Sequence, residues 1–168
     1  VGTNNLALPL ADVHGVKINE WLADELFLAN NDFIELFNPG SQPVALGGTY
    51  LSNAEGSPAL NPVPALSFMA ASGYQSFVAD GDAAQGANHL NFTLNPDVGQ
   101  IMLSDAALNP IDVIDYGPQA TDVSQGRSPS GSDTLGNFSQ PTPGGPNPAA
   151  NGGSTSVTNI TSVSVTLL

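Results

Sequence analysis

The sequence predicts an all-β fold, a sandwich or barrel of about eight strands. Three observations point there. Valine, isoleucine, threonine and aromatic residues come in short runs, and no apolar stripe of helical period is sustained beyond a turn. Eighteen glycines and fourteen prolines punctuate the chain between those runs. The runs recur at roughly 8–15-residue spacing, which suits strands joined by turns.

The elements read in order as follows. Residues 16–23 (VKINEWLA) and 32–38 (DFIELFN) are the first two strands, the second closed by the turn Asn38-Pro39-Gly40. Residues 43–52 and, after a proline-rich stretch, 65–69 follow. The run 74–80 ends at Gly81, a turn signal. Segment 89–95 alternates cleanly, with Leu90, Phe92 and Leu94 on one face and Asn91, Thr93 and Asn95 on the other, the period of a half-buried strand. Segments 100–105 and 110–117 complete the set, the latter shifting phase between Val113 and Ile114 as a bulge or a doubly buried strand would. Spacing within Trp21–Phe27 allows one short helical turn. Ile18, Phe33 or Ile34, Leu36, Leu46, Leu51, Phe92, Leu94, Ile101 and Leu103 have the spacing of inward-facing residues, with Trp21 and Tyr50 as large anchors between sheets.

Three zones separate: an N-terminal arm over 1–15, a body over 16–147, and a Gly/Ser spacer with a last apolar strand over 148–168. Fifteen acids face two bases, Lys17 and Arg127, for a formal net charge of -13. Nucleic acid and anionic membrane surfaces are therefore disfavoured partners, because both bind through lysine and arginine. Such a charge suits solubility outside the cell and attracts divalent cations. With no cysteine, disulfides, thiolate metal sites and thiol nucleophiles are absent. No apolar run approaches the ~20 residues of a membrane span, and no signal peptide opens the sequence, so an exported protein is expected here in mature form.

The landmarks of the body come in a characteristic order. They are Val16-Lys17-Ile18-Asn19-Glu20, Asp32 to Gly40, Val44-Ala45-Leu46 with Tyr50-Leu51-Ser52, and Ala79-Asp80-Gly81-Asp82 with Gly86 and His89. Then come Ile101 to Asp105, Ile114-Asp115-Tyr116-Gly117, Ser124-Gln125-Gly126-Arg127, and Pro141-Thr142-Pro143-Gly144-Gly145-Pro146-Asn147. In this order 16–147 resembles the lamin tail domain family in its bacterial, extracellular form. The resemblance implies an immunoglobulin-like β-sandwich used as an accessory or interaction module. Chromatin binding, known for animal members, does not carry over to a chain with two basic residues.

Candidate chemistry is sparse. No nucleophile elbow, phosphate loop or paired-histidine zinc motif occurs, and the two histidines, His14 and His89, lie far apart in sequence. Glu20 and Glu35 are the carboxylate pair a glycosidase would use, yet both fall on core landmarks. Arg127 is expected to form a structural ion pair with Glu20, Glu35 or Asp115. Asp80, Asp82 and Asn88 place hard oxygen ligands on a glycine-containing loop, as calcium prefers, and the same aspartates suit the capping of a turn by backbone amides. His89 is read as a packed or hydrogen-bonded strand residue. No other cofactor is implied. Acceptor sequons for glycans stand at Asn91, Asn137 and Asn159.

The ends carry the most suggestive pattern. Leu6, Leu8 and Leu10 share one face of the arm, with Pro9 confining it to a sheet edge. Val157, Val163, Val165 and Leu167 share one parity at the C-terminus, with Thr158, Ser162, Ser164 and Thr166 on the other. Neither run could form a stable sheet alone, and each could add to an existing edge. Each arm either folds back on its own sandwich or completes a neighbour's, and open-ended exchange gives a filament. The expected function is a non-catalytic, secreted or cell-surface structural protein that self-associates by terminal strand exchange. The alternative is an accessory module of a larger secreted enzyme, binding a polysaccharide or protein partner. A hydrolase using Glu20 and Glu35 is the third class.

Overall fold

The chain is all-β. The structure, a computed structural model, describes residues 9–27, 31–54 and 56–149. The strands among these are β1 (Lys17–Leu22), β2 (Phe33–Phe37), β3 (Val44–Ala45), β4 (Tyr50–Ser52), β5 (Asn61–Pro62) and β6 (Phe68–Met69). They continue with β7 (Tyr74–Val78), β8 (Gly99–Ser104), β9 (Pro110–Tyr116), β10 (Ser124–Arg127) and β11 (Leu135–Phe138). One sheet has the order β11-β10-β1-β2-β7 and another β5-β4-β8-β9; β3 and β6 make a two-stranded ribbon. Every named pair is antiparallel.

One apolar core lies between these layers. Ile18, Trp21, Ile34 and Leu36 enter it from the five-stranded sheet, and Leu51, Ile101, Leu103 and Ile114 from the four-stranded one. All the residues expected inside are buried, Tyr50 excepted. Tyr50 is only half-buried; the aromatic ring beside Trp21 belongs to Tyr116, 6.1 Å away and tilted by 44°.

Several elements differ from expectation. Segment 43–52 divides into β3 and β4 at Gly47-Gly48, where Gly48 has φ 91° and Thr49 N–H donates to Leu46 O. Segment 89–95 keeps its alternation of burial but its backbone pairs with β7 and its end only at single bridges, His89 with Val78 and Thr93 with Asp80. The bulge of β9 falls at Ile111, between the pairs Leu103–Asp112 and Ser104–Pro110, while register runs unbroken through Val113 and Ile114. Trp21 and Leu22 remain in β1, and no helical turn follows them. Strands β10 and β11 were not anticipated by periodicity, for a reason given below.

The β2–β7 ribbon bends into the β3–β6 ribbon through two adjacent turns. Asn38 joins them: its Nδ2 donates to Gln42 O and Ala70 O, both at 2.8 Å, and its backbone N–H donates to Gly73 O. The arm joins the same region. Ala11 bridges Val44 in parallel, its N–H donating to Pro43 O at 2.8 Å, so the arm from Ala11 onward lies on its own subunit. His14 then reaches Asp12 (Nδ1 to Oδ1, 2.7 Å) and Asp105 (Nε2 to Oδ2, 3.4 Å). Among the described residues no helix is long and apolar enough to cross a membrane.

Leu103 is fully enclosed, so Leu103→Ala is expected to lower the unfolding free energy by about 2–5 kcal/mol. Urea titration followed through the fluorescence of Trp21, the sole tryptophan, measures this.

Candidate functional site

The landmark residues meet where β1 loses its strand neighbour. β1 pairs with β10 only at Glu20–Gly126 and Trp21–Gln125, and its register against β2 slips between Ile18 and Glu20. The backbone of Ile18 and Asn19 then needs other partners, because buried peptide groups cannot go unpaired cheaply. Side chains supply them. Asp112 Oδ2 accepts from Ile18 N–H at 2.8 Å, Arg127 Nε donates to Ile18 O at 2.8 Å, and Asn147 Nδ2 donates to Asn19 O at 3.0 Å. Asn147 Nδ2 also donates to Arg127 O.

Arg127 pairs with Asp112, both carboxylate oxygens lying 2.9–3.1 Å from Nη2. The expected partners Glu20, Glu35 and Asp115 are not the ones used: the two glutamates have other donors, and Asp115 accepts from Gln100. The pair links β10 to the edge strand β9 of the facing sheet, while Nη1 donates to Ser132 O.

Glu20 and Glu35 face each other across β1 and β2. Their neighbours Trp21 and Ile34 point into the core, so the carboxylates lie on the outer face of the sheet. Both are fully buried, beneath a strap formed by 141–147. Glu20 accepts from Ser124 Oγ, from Thr142 N–H and, at 2.9 Å, from Thr142 Oγ1. Glu35 accepts from Asn19 Nδ2 at 3.0 Å, Ser76 Oγ at 3.1 Å and Gly144 N–H. A Cβ on Gly126 would sit 2.5 Å from Asn19 O and 2.7 Å from Asn147 Nδ2, so only glycine lets the strap approach β1 here. Burial raises Glu35 from 4.5 to about 7, the nearby Glu20 adding to this and the Asn19, Gly144 and Ser76 donors opposing it. Burial likewise lifts Asp32 from 3.8 to about 6.

The Asp80 loop is a capped turn. Asp80 accepts from Asp82 N–H (3.0 Å) and Gln85 Nε2 (3.1 Å), and lies 2.7 Å from His89 Nδ1. Asp82 accepts from Ala84 N–H, and Asn88 O accepts from Val78 N–H. Among the described residues, no three His, Cys, Asp or Glu side chains converge as a metal ion requires. Asn91 uses its Nδ2, where a glycan would attach, to donate to Leu60 O; Asn137 is exposed on the edge strand β11.

Of the residues expected in assembly, Leu10 is half-exposed, and Leu6, Leu8, Val157, Val163, Val165 and Leu167, with the sequon at Asn159, lie outside the described residues. Leu10 has company. Ala11, Val44 and Met69 form the inner row of the arm–β3–β6 layer, which turns Leu10 and Phe68 outward. Phe68 is 54% exposed, and Leu66, in the turn before β6, is 86% exposed. β6 has no strand neighbour on its other side among the described residues. Alternation did not reveal this patch, because β3 and β6 are two residues each. No family model matches the chain, and no curated protein matches it.

Arg127→Ala would leave Asp112 buried without its cation and is expected to cost about 3–5 kcal/mol, read from urea midpoints. The pH dependence has a definite sign. Glu35 and Asp32 hold their protons more tightly folded than unfolded. The stability they confer is full below about pH 4 and is lost as pH rises through about 6 and about 7. Stability should therefore fall between pH 4.5 and 7.5, by on the order of 3 kcal/mol for Glu35 alone. Glu35→Gln should flatten that part of the profile in denaturation series across this range.

Proposed function

We propose that the chain is a non-catalytic structural module of an extracellular or cell-surface assembly, whose copies join by adding a terminal strand to a sheet edge. The observation that carries this reading is the β3–β6 ribbon, an edge bearing Leu66 and Phe68 outward in a strongly acidic chain. Unpaired edges with apolar side chains are the sites where strands add. The hydrolase reading loses its support at Glu20 and Glu35: the strap occupies the space in front of both, where a glycoside would have to sit. The lamin-tail likeness belongs to the same proposal. Its support is that Asn19, Glu20, Glu35, Gly126, Arg127, Thr142, Gly144 and Asn147, distant in sequence, share one cluster.

One observation favours the second reading, an accessory module that holds a protein or glycan partner. The amides of Leu26 and Phe27 both donate to Asp122 Oδ1 at 3.0 Å, so a tied loop presents these two side chains to solvent.

Deleting 151–168 tests the first reading. Light scattering and electron microscopy should show polymers for the full chain and folded monomers for the truncation. Polymers that survive the deletion would remove the C-terminal run from the mechanism, and a full chain that stays monomeric at high concentration would remove self-association altogether.

A further inference from the structure

We propose that the outer edge of β6, flanked by the outward side chains of Leu66 and Phe68, is the acceptor for the C-terminal run 157–167 of a second copy of this chain. This rests on the self-association reading and names its two partners.

The backbone is the first support. Leu66 has φ 65°, in a turn where Ser67 N–H donates to Pro64 O. That is the third position of a turn that ordinarily takes glycine, since a branched side chain is strained there. Leucine at this position is also the most exposed large apolar side chain among the described residues. A strained residue displaying an apolar group to water makes sense where that group has a partner.

The edge is the second. Leu46 N–H donates to Ser67 O, so ladder bonds fall at the pairs 46–67 and 44–69. The pair Ala45–Phe68 between them is the non-bonded kind, which aims the N–H and C=O of Phe68 away from β3. An incoming strand would meet both groups.

Charge selects the occupant. Two copies at -13 repel each other, so contact is least opposed where charge is lacking. From Gly40 to Ala79 the sequence holds a single charged residue, Glu55, and from Thr134 to Leu168 it holds none. The adjoining arm contributes Asp12, which His14 engages. A neutral donor with alternating valines thus matches a neutral acceptor. The steps from Pro148, whose carbonyl accepts from Ser128 Oγ, to Val157 reach about 30 Å at full extension, enough to leave the parent body.

The absence of cysteine makes the test clean. Phe68→Cys and Val163→Cys are made separately, mixed, and oxidised with diamide. The expected result is a disulfide-linked heterodimer, several-fold more abundant than when Val113→Cys on β9 replaces Phe68→Cys. A disulfide that forms only within the monomeric double variant would mean the run returns to its own body, overturning the proposal. Absent cross-links with polymers still present by light scattering would overturn this site but leave self-association standing. Monomers throughout would sink the underlying reading as well. Leu66→Gly supplies an independent check that misfolding cannot mimic. It relieves the positive φ, so Tm should rise by a few degrees while association weakens about tenfold or more. Unchanged association in a Leu66→Gly protein would also overturn the proposal.

Discussion

The structure depends on how the backbone of Ile18 and Asn19 is satisfied. β1 is central in its sheet at Glu20 and Trp21, but past the irregularity beside Asn19 its neighbour β10 no longer follows. An unpaired stretch of central strand would be expensive to bury. Asp112, Arg127 and Asn147 stand in for the missing strand, donating or accepting where a ladder partner would. This explains why the only arginine sits where it does. A guanidinium can serve Ile18 O, Ser132 O and a carboxylate at once, which a lysine ammonium on a flexible stem does poorly.

The same economy covers the outer face. Instead of an apolar layer, β1 and β2 present two carboxylates there, and the strap turns its amides and Thr142 hydroxyl onto them. Like charges opposite each other on adjacent strands are unfavourable. Donors from several elements offset this, and Glu35 holds its proton more tightly chiefly because it is buried, with Glu20 adding to the effect. A half-satisfied network of this kind would be worse than an apolar layer, so each of these donors matters.

Much of the fold was legible in the sequence because apolar residues marked it. Ile18, Ile34, Leu36, Ile101 and Leu103 carry the period of strands and lie inside. β10 was invisible to that criterion because its buried residues are Ser124, Gly126 and Arg127, polar or without a side chain. β11, with only Leu135 and Phe138 apolar, gave too short a run. Segment 89–95 erred in the opposite direction: its alternation reports burial truthfully, yet burial against a neighbour does not require a ladder. The landmarks of the candidate cluster were all singled out, but not their pairings. The partner of Arg127 comes from across the sandwich, and a strand period cannot say which acid of β9 faces it. Nor could composition show that Leu66 sits at a left-handed backbone angle, since nothing in Pro64-Ala65-Leu66-Ser67 signals it.

The strap has a consequence for how the protein is made. Strand β1 is synthesised well before the groups that complete it, which follow at positions 112, 127 and 142–147. Until those groups arrive, Glu20 and the bare peptide groups of Ile18 and Asn19 must stay hydrated, and closing the sheet over them early would be costly. Completion of the β1 cluster therefore waits for the last turn of the body, and contacts so distant along the chain are expected to make that closure slow. Delay of this kind leaves the nascent chain acidic and water-loving while its apolar strands wait for one another.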